Sequence, residues 1–214
     1  MPRLYIHPLP VRIWHWVNAF GFVLLILTGI HIRYADLLAI VPFATAVRIH
    51  NWTGFVLIAN YFVWLSFYLF TDKITVYHPE LDPKKYFKHA IAQAMYYGYG
   101  IFRGDPNPHH VSAYHKFNAL QSITYQIVMM ILVPIQFYTG ILLWNLERFK
   151  GSVELLGGVR VVATVHVTLF IFFVAYIFGH VYLGSLGHTA SAHFKAMITG
   201  YEDVDEEPGR PSVS

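Results

Sequence analysis

VVATVHVTLFIFFVAYIFGHVYLGSLGHTASAHF, residues 161–194, contains no Asp, Glu, Lys or Arg. Arg160 and Lys195 bound it. A helix that crosses a bilayer needs about 20 mostly apolar residues, since it must cover about 30 Å of hydrocarbon at about 1.5 Å per residue. This run is long enough to span. Three shorter charge-free gaps lie upstream, between Arg12 and Arg33, between Arg48 and Asp72, and between Lys116 and Glu147. Each can hold one more helix of that length. The protein is 56% hydrophobic and 13% charged, against about 25% charged in a soluble domain. These features predict an all-α, polytopic membrane protein, a four-transmembrane-helix bundle with spans near 13–32, 49–70, 118–145 and 161–186. They exclude a soluble enzyme, a nucleic-acid binder and a disordered chain.

Residues at the edges of the gaps support the boundaries. Trp14, Trp16, Trp52 and Trp144 fall near span ends, where amphipathic rings sit at the headgroup level, while Trp64 is expected to pack inside. Pro134 should kink the third span or shift its register. The apolar stretch after Arg3 and Arg12 is too long for a signal peptide and reads as a retained first helix. Four spans put both termini on one side. Ten Lys and Arg lie in the termini and the 71–116 loop, and five in the other two loops. The positive-inside rule then places both termini and the long loop in the cytoplasm. The net charge of +3 reports this orientation, not a nucleic-acid partner.

Within the long loop, Tyr86, Phe87, Ala90, Ile91, Ala94 and Met95 follow helical spacing. The uncharged stretch His89–Phe102 is too short to cross a bilayer. It reads as an interfacial amphipathic helix on the inner membrane surface. Residues 1–200 form one transmembrane domain, and 201–214 an acidic tail expected to be disordered.

No cysteine is present, which removes disulfides, iron–sulfur clusters held by this chain, thiolate zinc and covalently attached haem. Histidine is the conspicuous remaining ligand. Five of the 13 histidines, His15, His31, His50, His166 and His180, lie in or at the edges of the spans. Ionisable groups there are expensive and point to function. The spacing of His166 and His180 puts them on nearly one face of a helix and roughly 21 Å apart along it. That is too far for one metal and suits two stacked porphyrins. With alternating span direction, His15 and His180 share the inner level, and His50 and His166 the outer. Two bis-histidine sites result, which suit an inner haem b with its iron on His15 and His180 and an outer haem b with its iron on His50 and His166; packing histidines bonded to backbone carbonyls are the alternative reading. Ala19, Gly54 and Gly184, each one turn past a histidine, leave room for a flat macrocycle. His31 has no partner at its depth and reads as a core or interfacial residue. His109, His110, His115, His188 and His193 read as surface residues.

The segments RIWHWVN (12–18), RIHNWTG (48–54), KFNALQ (116–121) and HVYL (180–183) resemble the membrane cytochrome b subunits of respiratory oxidoreductases. These include the gamma subunit of formate dehydrogenase, the thiosulfate-reductase-type cytochrome b and the cytochrome b of nickel–iron hydrogenases. The resemblance covers residues 7–200 and falls on the four histidines already chosen by depth. It implies two non-covalent b haems and a quinone pocket near the inner haem, against the start of the third span. Asn118 and Gln121 are the matching candidates there, beside His180. Both amides also sit at the inner end of that span, although Asn118 can equally cap the helix and Gln121 bond within the bundle. Leu120 stands where the formate dehydrogenase members carry glycine, and the acidic tail replaces a basic one.

The function expected is transmembrane electron transfer between a partner redox subunit and membrane quinone, in a subunit that is not the main catalytic one. The partners would be an iron–sulfur or multihaem subunit and a catalytic subunit on the outer face, where short loops leave the end open. A self-contained cytochrome b serving small carriers and a histidine-lined metal transporter are the competing readings. The absence of intramembrane acids and the pairing at two levels count against the transporter.

Overall fold

The computed structural model describes residues 3–35, 40–71, 82–109, 117–186, 189 and 191–203. In chain order the elements are β1 (Arg3–Tyr5), α1 (Leu9–Arg33), α2 (Phe43–Phe70), α3 (Pro83–Met95), α4 (Ala119–Trp144), α5 (Lys150–Leu155), α6 (Val159–Gly184), α7 (Ala192–Thr199) and β2 (Tyr201–Asp203). Among the described residues, helices α1, α2, α4 and α6 are the four long and apolar enough to cross a membrane. Phe20, Phe62, Val63, Phe70, Phe178 and Val181 are exposed along them, as lipid-facing side chains must be.

Helices α1 and α2 begin before the predicted spans and carry Arg12 and Arg48 within them. A charge ends the stretch that hydrocarbon tolerates, but it does not end a helix. Pro10 lies in the first turn of α1, where its missing N–H costs nothing. The Pro42 carbonyl accepts from the Thr45 and Ala46 amides to start α2. In α4 the register shift expected from Pro134 is a π-helical turn at Val128–Leu132, between α-helical Ala119–Ile127 and Val133–Trp144. Widening the ladder just before a proline relieves the clash of its ring with the carbonyl four residues back.

The chain divides into two compact units. One comprises 13–67 and 129–183, the larger parts of the four spanning helices. Leu57, fully buried, fills the space left by Gly21, where an added Cβ would lie 2.6 Å from Leu57 Cδ2. In lipid, where burial against another helix gains little hydrophobic energy, such close approach is what holds helices together. Asn60 donates to the Trp14 carbonyl at 3.1 Å, and the Tyr61 hydroxyl donates to the Met129 carbonyl, inside the π turn, at 3.1 Å. Trp64 is buried as expected and packs on Trp14. Buried Phe173 of α6 meets Phe22 of α1 edge-on, ring centres 5.5 Å apart. Helix α5 packs Val153 with Leu142 and Val162, and Gly157 and Gly158, at φ 95° and 92°, turn the chain into α6.

The other unit comprises 1–12, 68–128 and 184–214. Asp82 caps α3 by accepting from the Lys84 and Lys85 amides. The helix runs on through a π turn at Tyr96–Gly100 and a last turn at Ile101–Arg103, and stops at Gly104, whose φ is 76°. Phe87, Ile91, Met95, Tyr99 and Phe102 are exposed, whereas Ala90, Gln93 and Gly100 are buried. This is the amphipathic helix expected in the loop, with its apolar stripe outward.

Strands β1 and β2 pair antiparallel, with Arg3 opposite Asp203 and Tyr5 opposite Tyr201. Gly200 (φ 91°) lets the chain reverse where a Cβ would lie 2.7 Å from Tyr5 Cε2. The Arg12 guanidinium donates to the Ile198 carbonyl. The acidic segment from Tyr201 thus starts as a strand, not as disordered chain. Pairing with Arg3 and Tyr5, and the contact of Glu202 Oε1 with His193 Nδ1 at 3.1 Å, supply the order that composition alone does not reveal. Residues 204–214 lie outside the described residues.

Candidate functional site

Within the helical unit the four histidines chosen from sequence meet in pairs. His15 of α1 faces His180 of α6, ring centres 6.1 Å apart. His50 of α2 faces His166 of α6 at 6.4 Å. The pairing by depth is therefore the pairing of the structure. Among the described residues no group of three or more His, Cys, Asp or Glu is placed to hold an ion. Zinc, which seeks four ligands, is poorly served by two imidazoles. An iron that brings four nitrogens of its own needs only two. Imidazole binds first-row metals at about 2.0–2.1 Å (the zinc value), so two rings flanking one ion have centres about 6 Å apart. Both pairs meet that requirement, and the donor set fits haem.

The ring of His180 stacks on Tyr176, one turn earlier, at 6.0 Å and 14°. His15 meets Trp16 edge-on at 5.4 Å. In the second pair each ring is held by a neighbouring helix. His50 Nδ1 lies 2.9 Å from Thr28 Oγ1 of α1, and His166 Nδ1 lies 3.0 Å from Thr139 Oγ1 of α4. A glycine follows each threonine. A Cβ on Gly29 would stand 3.6 Å from His50 Cε1, and one on Gly140 would stand 3.3 Å from His166 Cε1. Among the described residues, Gly54, picked from sequence for clearance, has nothing within 4 Å of an added Cβ, and neither has Gly184. Thr28, Gly29, Thr139 and Gly140 escaped the sequence reading. The dipeptide Thr-Gly at 28–29 and 139–140 does not single them out, since it also stands at 53–54 and 199–200.

Asn118 and Gln121 come together at the start of α4 in the other unit. They form a reciprocal cap: Gln121 N donates to Asn118 Oδ1 at 2.9 Å, and Asn118 N donates to Gln121 Oε1 at 3.1 Å. Asn118 Nδ2 donates to the Tyr97 hydroxyl at 2.9 Å, and buried Gln93 bonds the same hydroxyl. Burial raises the Tyr97 pKa, with the two amide bonds acting the other way, so the phenol stays protonated at neutral pH. A protonated phenol among amides is a hydrogen-bond donor set for a carbonyl oxygen.

His31 is buried against Phe43, as its lack of a depth partner suggested. His193 pairs with Glu202, and His110, His115 and His188 lie outside the described residues.

Among the described residues, four membrane-length helices with two facing histidine pairs fit a membrane cytochrome b. The chain belongs to the prokaryotic cytochrome b561 family, whose model matches residues 6–200. It is 33% identical over 201 residues, 93% of this chain and 74% of the relative, to the Escherichia coli (strain K12) protein named "Putative cytochrome YdhU". It is a multi-pass membrane protein for electron transfer with haem b.

Proposed function

We propose that this chain carries electrons across the membrane through two b haems, between a partner redox subunit and membrane quinone. The observation that carries the reading is the two facing histidine pairs, whose α6 members share one helix face about four turns apart. Bound haem supplies the one-electron Fe(III)/Fe(II) couple. His15 and His180 hold one iron, and His50 and His166 the other. The helices fix the spacing of the rings, and the groups around each ligand tune the potential.

Quinone is the proposed exchange partner at the start of α4. Its carbonyl oxygens need donors where charge develops on reduction. Tyr97, Asn118 and Gln121 supply phenol and amide groups, at the segment that resembles the quinone-reactive region of respiratory cytochromes. The excess of basic residues supports a cytoplasmic position for this end and both termini. The partner, an iron–sulfur or multihaem subunit joined to a catalytic subunit, docks on the opposite face.

The test is a reduced-minus-oxidised spectrum with haem counted per chain. The wild type should show two b-type components. His50→Ala and His166→Ala should each remove one and the same component, and His15→Ala and His180→Ala the other. Loss of the same component in His15→Ala and His50→Ala would overturn the assignment.

A further inference from the structure

Two different helices treat the rings of His50 and His166 alike. Thr28 Oγ1 lies 2.7 Å from the Leu24 carbonyl and 3.2 Å from the Leu25 carbonyl of its own helix. Thr139 Oγ1 lies 2.9 Å from the Ile135 carbonyl and 3.0 Å from the Gln136 carbonyl. A carbonyl only accepts, so each hydroxyl spends its proton on its own helix. What remains for the histidine is the oxygen lone pair, and the ring must donate Nδ1–H to it. On the far side of His166, the Gln136 amide nitrogen is 3.3 Å from Nε2. An amide N–H only donates, so Nε2 presents a lone pair. Gly29 and Gly140 bring each helix against the Cε1 edge of the same ring and restrict its rotation.

We infer that Thr28 and Thr139 are positioning residues that fix His50 and His166 as Nδ1–H tautomers and lower the reduction potential of the iron between them. The inference rests on the reading of these histidines as axial ligands. An imidazole that donates from Nδ1 is a more basic ligand through Nε2. Greater donation favours ferric over ferrous iron, so the hydroxyls lower the potential of this site. Because both ligands are so held, the two effects act on one metal in the same direction.

Thr28→Val and Thr139→Val keep the side-chain shape and delete the acceptor. Each should retain both haems and shift the midpoint potential of one upward, namely the component that His50→Ala removes. The double variant should shift it further, and Thr28→Ser and Thr139→Ser should return it to the wild-type value. Should valine block haem uptake, Thr→Cys at either position, a weaker acceptor of similar size, carries the test with the same sign. Unmoved potentials in haem-replete variants would overturn the inference while leaving the ligands in place. Full haem content in His50→Ala would instead overturn the ligand reading, and this inference with it.

Discussion

At the residue scale, small side chains do as much as histidines. Gly21 admits Leu57 so closely that a Cβ would overlap its side chain, and Leu57 is fully buried with nowhere to retreat. Gly21→Ala should destabilise the protein by about 1–3 kcal/mol, the usual cost of overpacking. Adding Leu57→Ala should recover part of that loss, a coupling readable in thermal unfolding of the detergent-solubilised protein. Asn118 does two jobs at once, and they can be separated. Asn118→Asp keeps the acceptor that caps α4 but removes the donor to Tyr97. It should leave both haem spectra intact and slow their reoxidation by quinone. Asn118→Ala should in addition lose about 1 kcal/mol of stability with the cap. The four histidines were legible because an ionisable group in an apolar run stands out, and because His166 and His180 are separated by nearly a whole number of turns. Thr28 and Thr139 were not. A threonine in a membrane helix ordinarily satisfies itself on its own backbone, and only the fold shows which ones also face a ring.

Elements show the same division between what composition carries and what pairing adds. The spans were readable from charge-free gaps, and α3 from its spacing. The starts of α1 and α2 were not, because the gaps mark where charge begins rather than where hydrogen bonding stops. Proline gave away the register shift of α4, although not that it takes the form of a π turn. The strand at Tyr201–Asp203 had no local signal at all, since its partner lies at the opposite end of the chain. Its stability should depend on pH. The hydrogen bond that His193 donates to the Glu202 carboxylate raises the His193 pKa above 6.5. A raised value means that the contribution is complete below 6.5 and is lost as pH rises through the folded-state value. Amide exchange at Tyr201–Asp203 should therefore speed up across that window by more than base catalysis accounts for. His193→Gln should abolish the excess. An unchanged excess in that variant would assign the dependence to another group.

On the scale of the whole molecule, the chain has no cysteine and its four long apolar runs hold no carboxylate or amine, and histidine is the ligand proposed for iron. One helix, α6, contributes to both pairs, so a single element sets their spacing. Halfway along the chain between His166 and His180 stands Phe173, against Phe22. A protein that passes electrons through a membrane must not also pass ions, since a file of water would short-circuit the gradient that respiration builds. Electrons can tunnel past a pair of phenyl rings, whereas protons need a chain of hydrogen bonds, which those rings interrupt. Phe173→Asn should leave both haems spectrally intact yet let proteoliposomes leak protons faster than wild type under an imposed pH difference. By this reasoning the aromatic contact in the middle of the bundle is its insulation.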